Sequence, residues 1–441
     1  MFKAIFPISI IIALRFLGLF IVLPVLSLYA LELKGANEIF IGASLGAYAV
    51  SQMIMQVPFG VLSDKIGRKE TLFIGTVIFM AGSLICAYAD SVYLLFVGRF
   101  IQGMGAVGAV GSAFISDLVK EESRAKAMAF MGIIIALSFA LSMTLGPVIG
   151  GNFGTDKLFL FTAVLAFLSL FLLFFIKNPP NIKSAAAGKI NYINLLKDEN
   201  LYRMNITNFL QKTLMTMAFM SIPIAITQQF LWDKKELWHI YFAAMIFGML
   251  AMIPSVVIGE KMKKSKEMLL VGIVFFAASY ALMGYAKNEL FFIAGVVLFF
   301  TGFNIHEPLM QSLTSKYAHV KNRGATLGIF NAFGYLGTFC GGIIGGIFLK
   351  YFGMAHIFWA VFFTCTLWFI LILTLKNPSF LQNIYILVSQ TAQNYENYLQ
   401  NAEGIKEWYI MGDTLIVKFD TKKADEQDIL RALKNSGGAE L

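Results

Sequence analysis

Apolar stretches of about 20 residues recur along the whole sequence, and each is long enough to cross a hydrocarbon core of about 30 Å. The chain has 441 residues, of which 58% are hydrophobic and only 14% are charged. A water-soluble fold of this size needs a more polar surface than that composition supplies. The sequence therefore predicts an integral membrane protein.

Twelve membrane-spanning helices are predicted from these stretches. The first is interpreted as a retained span, because its apolar segment is too long for a cleaved signal peptide. Lys and Arg concentrate in the loops that an even number of spans places beside both termini, which is typical of cytoplasmic loops. We therefore expect a multi-pass protein of the bacterial inner membrane with cytoplasmic N- and C-termini. The predicted helices are residues 4–32, 39–62, 70–89, 92–119, 123–153, 157–176, 204–229, 236–260, 266–286, 288–318, 321–350 and 355–376.

The longest polar interval between spans, residues 177–203, contains a Pro-Pro pair and several lysines and is predicted to be a cytoplasmic linker. It separates two predicted six-helix bundles, residues 1–176 and 204–376. The bundles resemble each other, because QVPFGVLSDKIGRK from Gln56 parallels MIPSVVIGEKMKKS from Met252. A duplicated six-helix unit places a substrate cavity between its halves, near the bilayer midplane.

A separate cytoplasmic domain is predicted over residues 380–441, where the composition changes. Its strand–helix–strand–strand–helix order fits a small ferredoxin-like α+β domain. The fold class is therefore an all-α membrane protein of twelve helices in two six-helix bundles, followed by a βαββα domain. Strands are expected at residues 383–388, 405–411 and 414–420, and helices at residues 391–402 and 424–435.

Polar residues inside the spans are the candidates for substrate and proton binding, since burying a charge in a membrane costs about 2.5–3.5 kcal/mol even on the most lenient scale. Glu307, just before Pro308, is the first choice for the titrating group. His306 is the next candidate, with hydrogen bonding across helices as the alternative role. For Arg15, structural pairing is the alternative to a role in the cavity, and for Arg99 the alternative to a direct role in proton transfer is hydrogen bonding to carbonyl oxygens. The predicted cavity residues are Arg15, Arg99, Gln102, Asn304, His306 and Glu307.

Other chemistries lack their sequence patterns. The chain has no GxxxxGK[ST], HExxH or GxSxG motif, which disfavours an ATP-driven pump or a membrane enzyme. Cys86, Cys340 and Cys365 lie in apolar runs without a CxxC motif, so no metal site is expected. The basic residues are dispersed among loops, and no nucleic-acid partner is expected. No cofactor is expected either, and a proton gradient is the expected driving force.

The decapeptide GVLSDKIGRK, residues 60–69, resembles the loop signature of the major facilitator superfamily. GRFIQGMGA at residues 98–106 resembles that family's fourth-helix signature. LGPVIGG at residues 145–151 resembles the fifth-helix signature of its drug/proton antiporter branch. ALRFLGLFIVLP, FNIHEP and the tail with EGIKEW resemble the YajR-type members. The resemblance implies alternating access, in which two helix bundles rock around a central site and proton uptake drives export.

Two further groups of residues take their roles from this resemblance. A cytoplasmic latch that holds the outward-facing state is expected from Gly60, Asp64, Gly67, Arg68 and Asp117. An antiporter-signature helix that limits leakage between states is expected from Gly146, Pro147, Gly150 and Gly151. In the second half Lys263 replaces the small turn residue Gly67, so an equal role for Glu260 and Lys264 is not expected.

The favoured function is a secondary active transporter that exports small amphipathic compounds in exchange for protons, with the lipid bilayer, a small-molecule substrate and protons as its partners. Two alternatives stay open: a membrane sensor whose C-terminal domain is the output, and a proton-coupled metabolite or sugar transporter. The C-terminal domain resembles heavy-metal-associated domains but contains no Cys or His, so metal delivery is not expected. Ligand binding and self-association of that domain are left open.

Overall fold

The computed structural model describes residues 2–119, 121–176, 192–318, 322–376, 381–391, 395–411, 413–421 and 423–435. In these residues eleven helical segments are long and apolar enough to cross a membrane, and a bent pair makes a twelfth. The helices are α1 Phe2–Phe20, α2 Leu23–Glu32, α3 Glu38–Ile66, α4 Arg68–Ala87, α5 Val92–Met104, α6 Gly108–Leu118, α7 Glu121–Phe153, α8 Thr155–Phe174, α9 Tyr192–Lys197, α10 Glu199–Gln229, α11 Leu237–Val256, α12 Ser265–Tyr285, α13 Glu289–Tyr317, α14 Arg323–Tyr351, α15 Met354–Leu373, α16 Tyr395–Asn401 and α17 Glu426–Asn435.

Polar side chains fix where several spans begin. Asn37 and Asn288 each accept a hydrogen bond of 3.0 Å from the backbone N–H three residues later, and Ser91 accepts one of 3.3 Å. These caps satisfy N–H groups that have no partner within the first turn of α3, α5 and α13. The residues at which these helices start are therefore determined by the local sequence.

Two spans that the sequence predicts as single helices are interrupted. The first is bent by 40° between α1 and α2, where Pro24 in the first turn of α2 lacks a backbone N–H. The fourth breaks at Gly105, between α5 and α6. A Cβ atom at Gly105 would overlap the carbonyl oxygen of Gly75 in α4, so glycine permits a close approach of the two backbones there. The predictions of unbroken helices at 4–32 and 92–119 are wrong at these points.

The two halves comprise α1–α8 and α10–α15, and they repeat a capping contact. Lys69, at the start of α4, donates to the carbonyl oxygen of Ile176 at 2.8 Å, just beyond α8. Lys266, at the start of α12, donates to the carbonyl oxygen of Leu373 at 2.6 Å, the end of α15. A cation at a helix C-terminus is favoured by the free carbonyls and the helix dipole. The last part of the predicted linker is helical, since α9 and the start of α10 lie within it.

The halves pack against each other at one end, called here the far end, which holds Glu32, Glu38 and Lys234. A Cβ atom at Gly342 in α14 would overlap the carbonyl oxygen of Gly42 in α3. Lys234 of the second half forms an ion pair with Glu32 of the first. The far end is therefore closed by direct backbone contact and by a charge pair.

The opposite end, called here the tail end, holds Asp64, Lys316 and Arg323. Cβ atoms built at glycines there would meet no described atom within 4 Å. The halves are therefore apart at the tail end and joined at the far end. The glycines are Gly60 and Gly132 in the first half and Gly324 and Gly328 in the second.

The C-terminal domain has the predicted βαββα order. Its strands are β1 Leu381–Leu387, β2 Ile405–Met411 and β3 Thr414–Asp420, in the antiparallel order β1-β3-β2. Leu415, Val417 and Phe419 of β3 are buried against α16 and α17. The sequence also predicts a tight turn at residues 412–413, between β2 and β3, and of these two residues the structure describes only Asp413.

The C-terminal domain contacts the tail end of the second half at Thr421, which accepts a hydrogen bond of 3.5 Å from Lys263, and at Lys418. Lys418 Nζ in β3 donates to the carbonyl oxygens of Lys316 at 2.5 Å and Ala318 at 3.2 Å, at the end of α13. Burial lowers the pKa of Lys418 from its ordinary value, and Glu407 opposes this shift. Lys418 thus caps the C-terminus of a membrane span from a neighbouring domain.

Candidate substrate and proton site

A charge pair lies inside the second half at mid-span, with one residue from α10 and one from α13. Lys212 Nζ in α10 lies 2.9 Å from Glu307 Oε2 and 3.1 Å from Oε1 in α13. Gln211 Nε2 donates to the same carboxylate at 3.3 Å. The Glu307 side chain is 40% exposed and that of Lys212 20%. The pair offsets the cost of two charges within a membrane and leaves the carboxylate accessible.

Lys212 and Gln211 were missed by the sequence analysis. Lys212 lies in the middle of the 31-residue helix α10, so the criterion that selected Arg15 and Arg99 applies to it equally. Glu307 is alone among the acidic residues of the described membrane helices in lying well inside a helix. Pro308 removes a backbone donor beside it, yet α13 continues as one helix through that point.

Phenylalanine rings connect this pair to the first half. Lys212 Nζ lies 4.9 Å from the ring centroid of Phe303, within the range of cation–π attraction. Phe303 of α13, Phe139 of α7, and Phe20 and Phe16 of α1 form a row, called here the aromatic row. Their successive ring centroids are 5.9, 5.2 and 5.5 Å apart. The aromatic row provides an apolar surface across the interface of the halves.

Arg15 holds the break in the fourth span. It is fully buried, and its Nη2 donates to the carbonyl oxygen of Gly105 at 2.6 Å. Its guanidinium carbon lies 5.4 Å from the Phe79 ring and 5.7 Å from the Phe16 ring, at the end of the aromatic row. At the interruption between α5 and α6, the Gly105 carbonyl oxygen accepts from the backbone N–H of Val107 at 2.8 Å, and Arg15 is its second donor.

Arg99 belongs to a network within the first half. Its Nη1 donates to Gln102 Oε1 at 2.6 Å, and Gln102 Nε2 donates to Ser83 Oγ at 2.8 Å. The guanidinium also lies 4.7 Å from the Tyr48 ring. Arg99 and Gln102 are fully buried, and the predicted contact between these two residues, one helical turn apart, is present.

His306 and Asn304 make contacts inside the second half. The fully buried His306 has Nε2 2.7 Å from the carbonyl oxygen of Leu269, and its ring packs between Phe276 and Trp368. Asn304 donates to the carbonyl oxygen of Phe300 in its own helix at 2.8 Å. Placing His306 in the cavity is therefore a wrong prediction, because it faces α12 and α15, and the predicted alternative of bonding across helices is what the structure has.

One further polar contact joins the halves near mid-span. Gln52 Nε2 in α3 donates to the Tyr335 hydroxyl in α14 at 2.9 Å. Tyr335 packs against a buried cluster of first-half residues, the same cluster against which Phe16 and Phe20 pack. Neither Gln52 nor Tyr335 was predicted, because uncharged polar residues in spans are too common to indicate a site.

The predicted latch residues meet at the tail end of the first half. Arg68 Nη1 lies 2.6 Å from Asp64 Oδ1, and Arg68 Nε lies 3.0 Å from Asp117 Oδ2. Asp64 is 62% exposed. Gly67 adopts φ +112°, a backbone region that favours glycine, whereas Gly60 faces open space. The turn therefore brings two carboxylates and one guanidinium together.

The second half has its own charge cluster at the corresponding place. Glu260, in a π-helical turn after α11, forms an ion pair with Lys316 and accepts a hydrogen bond of 2.6 Å from Ser312. Lys263 keeps a left-handed backbone, with φ +59°, where the first half has Gly67. The loss of glycine therefore does not remove the turn.

The antiporter-signature residues lie on α7 and pack at the far end. A Cβ atom at Gly146 would overlap the carbonyl oxygen of Ile21, at the bend of the first span. A Cβ atom at Gly151 would overlap the backbone of Lys235 in the second half. Gly150 faces Val25, and Pro147 lies within the continuous helix α7. The glycine face thus packs on both the first span and the opposite half.

Comparison with known proteins agrees with this architecture. A family model described as Major Facilitator Superfamily matches residues 8–200 and 204–384. The inner membrane transport protein YajR of Escherichia coli is 30% identical, covering 98% of both chains. A class H tetracycline resistance protein of Pasteurella multocida is 28% identical over 56% of this chain and 67% of its own. The solved D-xylose-proton symporter has a TM-score of 0.70 at 14% identity, covering 84% of this chain and 98% of its own.

Proposed function

The chain belongs to the major facilitator superfamily, and we propose that it exports small amphipathic compounds in exchange for protons, with Glu307 as the proton-binding group. The observation that carries this proposal is the accessible carboxylate of Glu307, which is paired with Lys212 of the same half, and Lys212 lies against Phe303, the ring that contacts Phe139 of the first half. A carboxylate at such a place exchanges a proton with whichever side the site faces. The aromatic row beside it offers an apolar surface to the rest of the substrate.

Alternating access requires the far end and the tail end to open in turn. Opening the far end separates Gly42 from Gly342 and breaks the Glu32–Lys234 pair. Closing the tail end brings the exposed Asp64 towards the second half, where the latch holds the alternative state. The described arrangement then corresponds to the inward-facing state, with the tail end in the cytoplasm.

The proposal places the protein in the bacterial inner membrane with both termini cytoplasmic and with the proton gradient as its driving force. The abundance of Lys and Arg at tail-end loops supports this orientation. The likeness to YajR, named as an inner membrane transport protein, supports the location. The likeness to a tetracycline resistance protein supports export.

A flux measurement tests the proposal. Purified protein is placed in liposomes that contain a pH-sensitive dye, a proton gradient is imposed, and lipophilic cations, sugars and metabolites are added in turn. We expect compound-dependent proton flux in the wild type and in Glu289→Gln, a matched control at the start of the same helix. We expect no such flux in Glu307→Gln. Equal flux in Glu307→Gln would remove Glu307 from the coupling.

A membrane sensor remains the second candidate, since one observation favours it. The lysine contact of the C-terminal domain falls on the end of α13, the helix that carries Glu307. A change at Glu307 therefore has a direct route to that domain. Silence of folded protein across the compound panel favours the sensor, whereas flux with sugars or metabolites alone favours the metabolite transporter.

A further inference from the structure

The charge that the central site offers to a substrate is the carboxylate. Arg15 is buried against Gly105, and Arg99 is buried within the first half, so neither cation faces open space. Of the remaining pair, Glu307 exposes twice the side-chain fraction of Lys212, at 40% against 20%. The carboxylate is therefore the more exposed charge of the pair.

The ammonium of Lys212 occupies a cation-binding position formed by two groups. The Glu307 carboxylate oxygens lie 2.9 and 3.1 Å from Nζ, and the Phe303 ring centroid lies 4.9 Å from it. A carboxylate combined with an aromatic face is the environment that proteins use for organic cations. Lys212 thus fills, with its own side chain, a place suited to a positively charged ligand.

We infer that Glu307 and Phe303 form a binding position for the cationic group of the substrate, and that the Lys212 side chain is a tethered competitor that occupies this position when the substrate is absent. The inference rests on the proposed function, because it names the substrate class as amphipathic organic cations. The cationic group displaces the Lys212 ammonium from Glu307, and the apolar part lies along the aromatic row. The carboxylate is then occupied in turn by Lys212, a proton or the substrate.

This arrangement couples the release of substrate to the binding of a proton. A proton on Glu307 removes the partner of the substrate cation and leaves the positive Lys212 unpaired beside it, so protonation expels the substrate. Without proton or substrate, Lys212 neutralises the carboxylate, and the empty site carries no net charge across the membrane. Lys212 is therefore a specificity-determining residue whose removal improves binding instead of weakening it.

The test is equilibrium binding of radiolabelled tetraphenylphosphonium to the purified full-length protein at one fixed, mildly alkaline pH. We expect Lys212→Met to bind the cation about fivefold more tightly than wild type, since a partly exposed ion pair contributes on the order of 1 kcal/mol. Lys212→Arg keeps the competitor and is expected to bind as weakly as wild type. Lys316→Met, a matched control in the Glu260 pair, removes the same charge elsewhere and is expected to change nothing.

Two results would overturn the inference. The first is unchanged or weaker cation binding in Lys212→Met, measured in a variant whose chromatographic profile matches wild type. The second is an aromatic sulfonate that binds wild type and is lost in Lys212→Met, which would make Lys212 an anion site. A structural defect cannot imitate the expected result, because it weakens binding.

The inference and the proposed function fail separately. Proton flux driven by uncharged compounds, with no cation binding to either protein, would leave the function standing and remove the competitor. Tighter cation binding in Lys212→Met without any proton flux in the wild type would keep the competitor and remove the exchange of substrate for protons.

Discussion

The backbones of Gly42 in α3 and Gly342 in α14 touch at the far end, so that a Cβ atom on either residue would overlap the carbonyl oxygen of the other. This contact joins the two halves without any side chain between them. Small residues permit such close approach of membrane helices. Any state in which the far end is open must separate this pair.

Gly342→Ala is expected to shift the protein towards the state with an open far end, because the added methyl group cannot fit against Gly42. Spin labels at Lys34→Cys and Lys287→Cys, both exposed at the far end on opposite halves, report the separation. Gly328→Ala is the matched control on the same helix, since it meets no described atom within 4 Å. Identical distance distributions in the two variants would contradict the far-end closure described here.

Gly67→Ala is expected to lower stability by about 1 kcal/mol or more, because a Cβ atom is unfavourable at φ +112°. Gly60→Ala, in the same signature, faces open space inside α3 and is expected to be neutral or slightly stabilising. Thermal unfolding midpoints of the two variants in the same detergent measure the difference. Equal midpoints would show that the stability of the turn does not depend on glycine at position 67.

Arg15→Met is expected to lower stability by about 1–3 kcal/mol, because it removes a buried hydrogen bond from a charged group to the Gly105 carbonyl. Arg15→Lys retains a donor and is expected to lie between the two. Lys350→Met, at an exposed position near the end of α14, serves as the control. A stable Arg15→Met protein that has lost binding would instead assign Arg15 to the substrate.

Lys418→Ala is expected to release the C-terminal domain from the end of α13, because it removes both hydrogen bonds to the Lys316 and Ala318 carbonyls. Limited proteolysis between the membrane region and the domain, and amide exchange around residues 316–318, measure the release. Lys423→Ala removes an exposed pair with Glu403 in the same domain and is the control. Unchanged protection in Lys418→Ala would mean that other contacts hold the domain.

The helices and the tail domain could be predicted from the sequence, because apolar run length and strand alternation are local properties. The break at Gly105 could not, since it depends on contacts with other helices, whereas the bend at Pro24 has a local cause in the missing backbone N–H of the proline. Gly105 is needed for the approach of α4 and for the carbonyl that Arg15 binds. Both contacts join residues far apart in the chain.

The direction in which each side chain points was the second property that the sequence did not predict. Successive residues of an α-helix point about 100° apart, so His306 and Glu307 cannot face the same surface. Glu307 faces α10, where it binds Lys212, whereas His306 faces α12 and α15. Lys212, in contrast, could have been found, because a lysine at mid-span is as costly as the arginines that were selected.

The measurement that tests the central claim most directly is proton release on substrate binding. A compound that drives flux in the liposome assay is added to purified protein in weakly buffered, mildly acidic solution, where protons compete with Lys212 for Glu307, and a pH indicator counts the protons released. We expect release from the wild type and from Glu289→Gln, and none from Glu307→Gln. Equal release from Glu307→Gln would contradict the exchange of proton and substrate at Glu307.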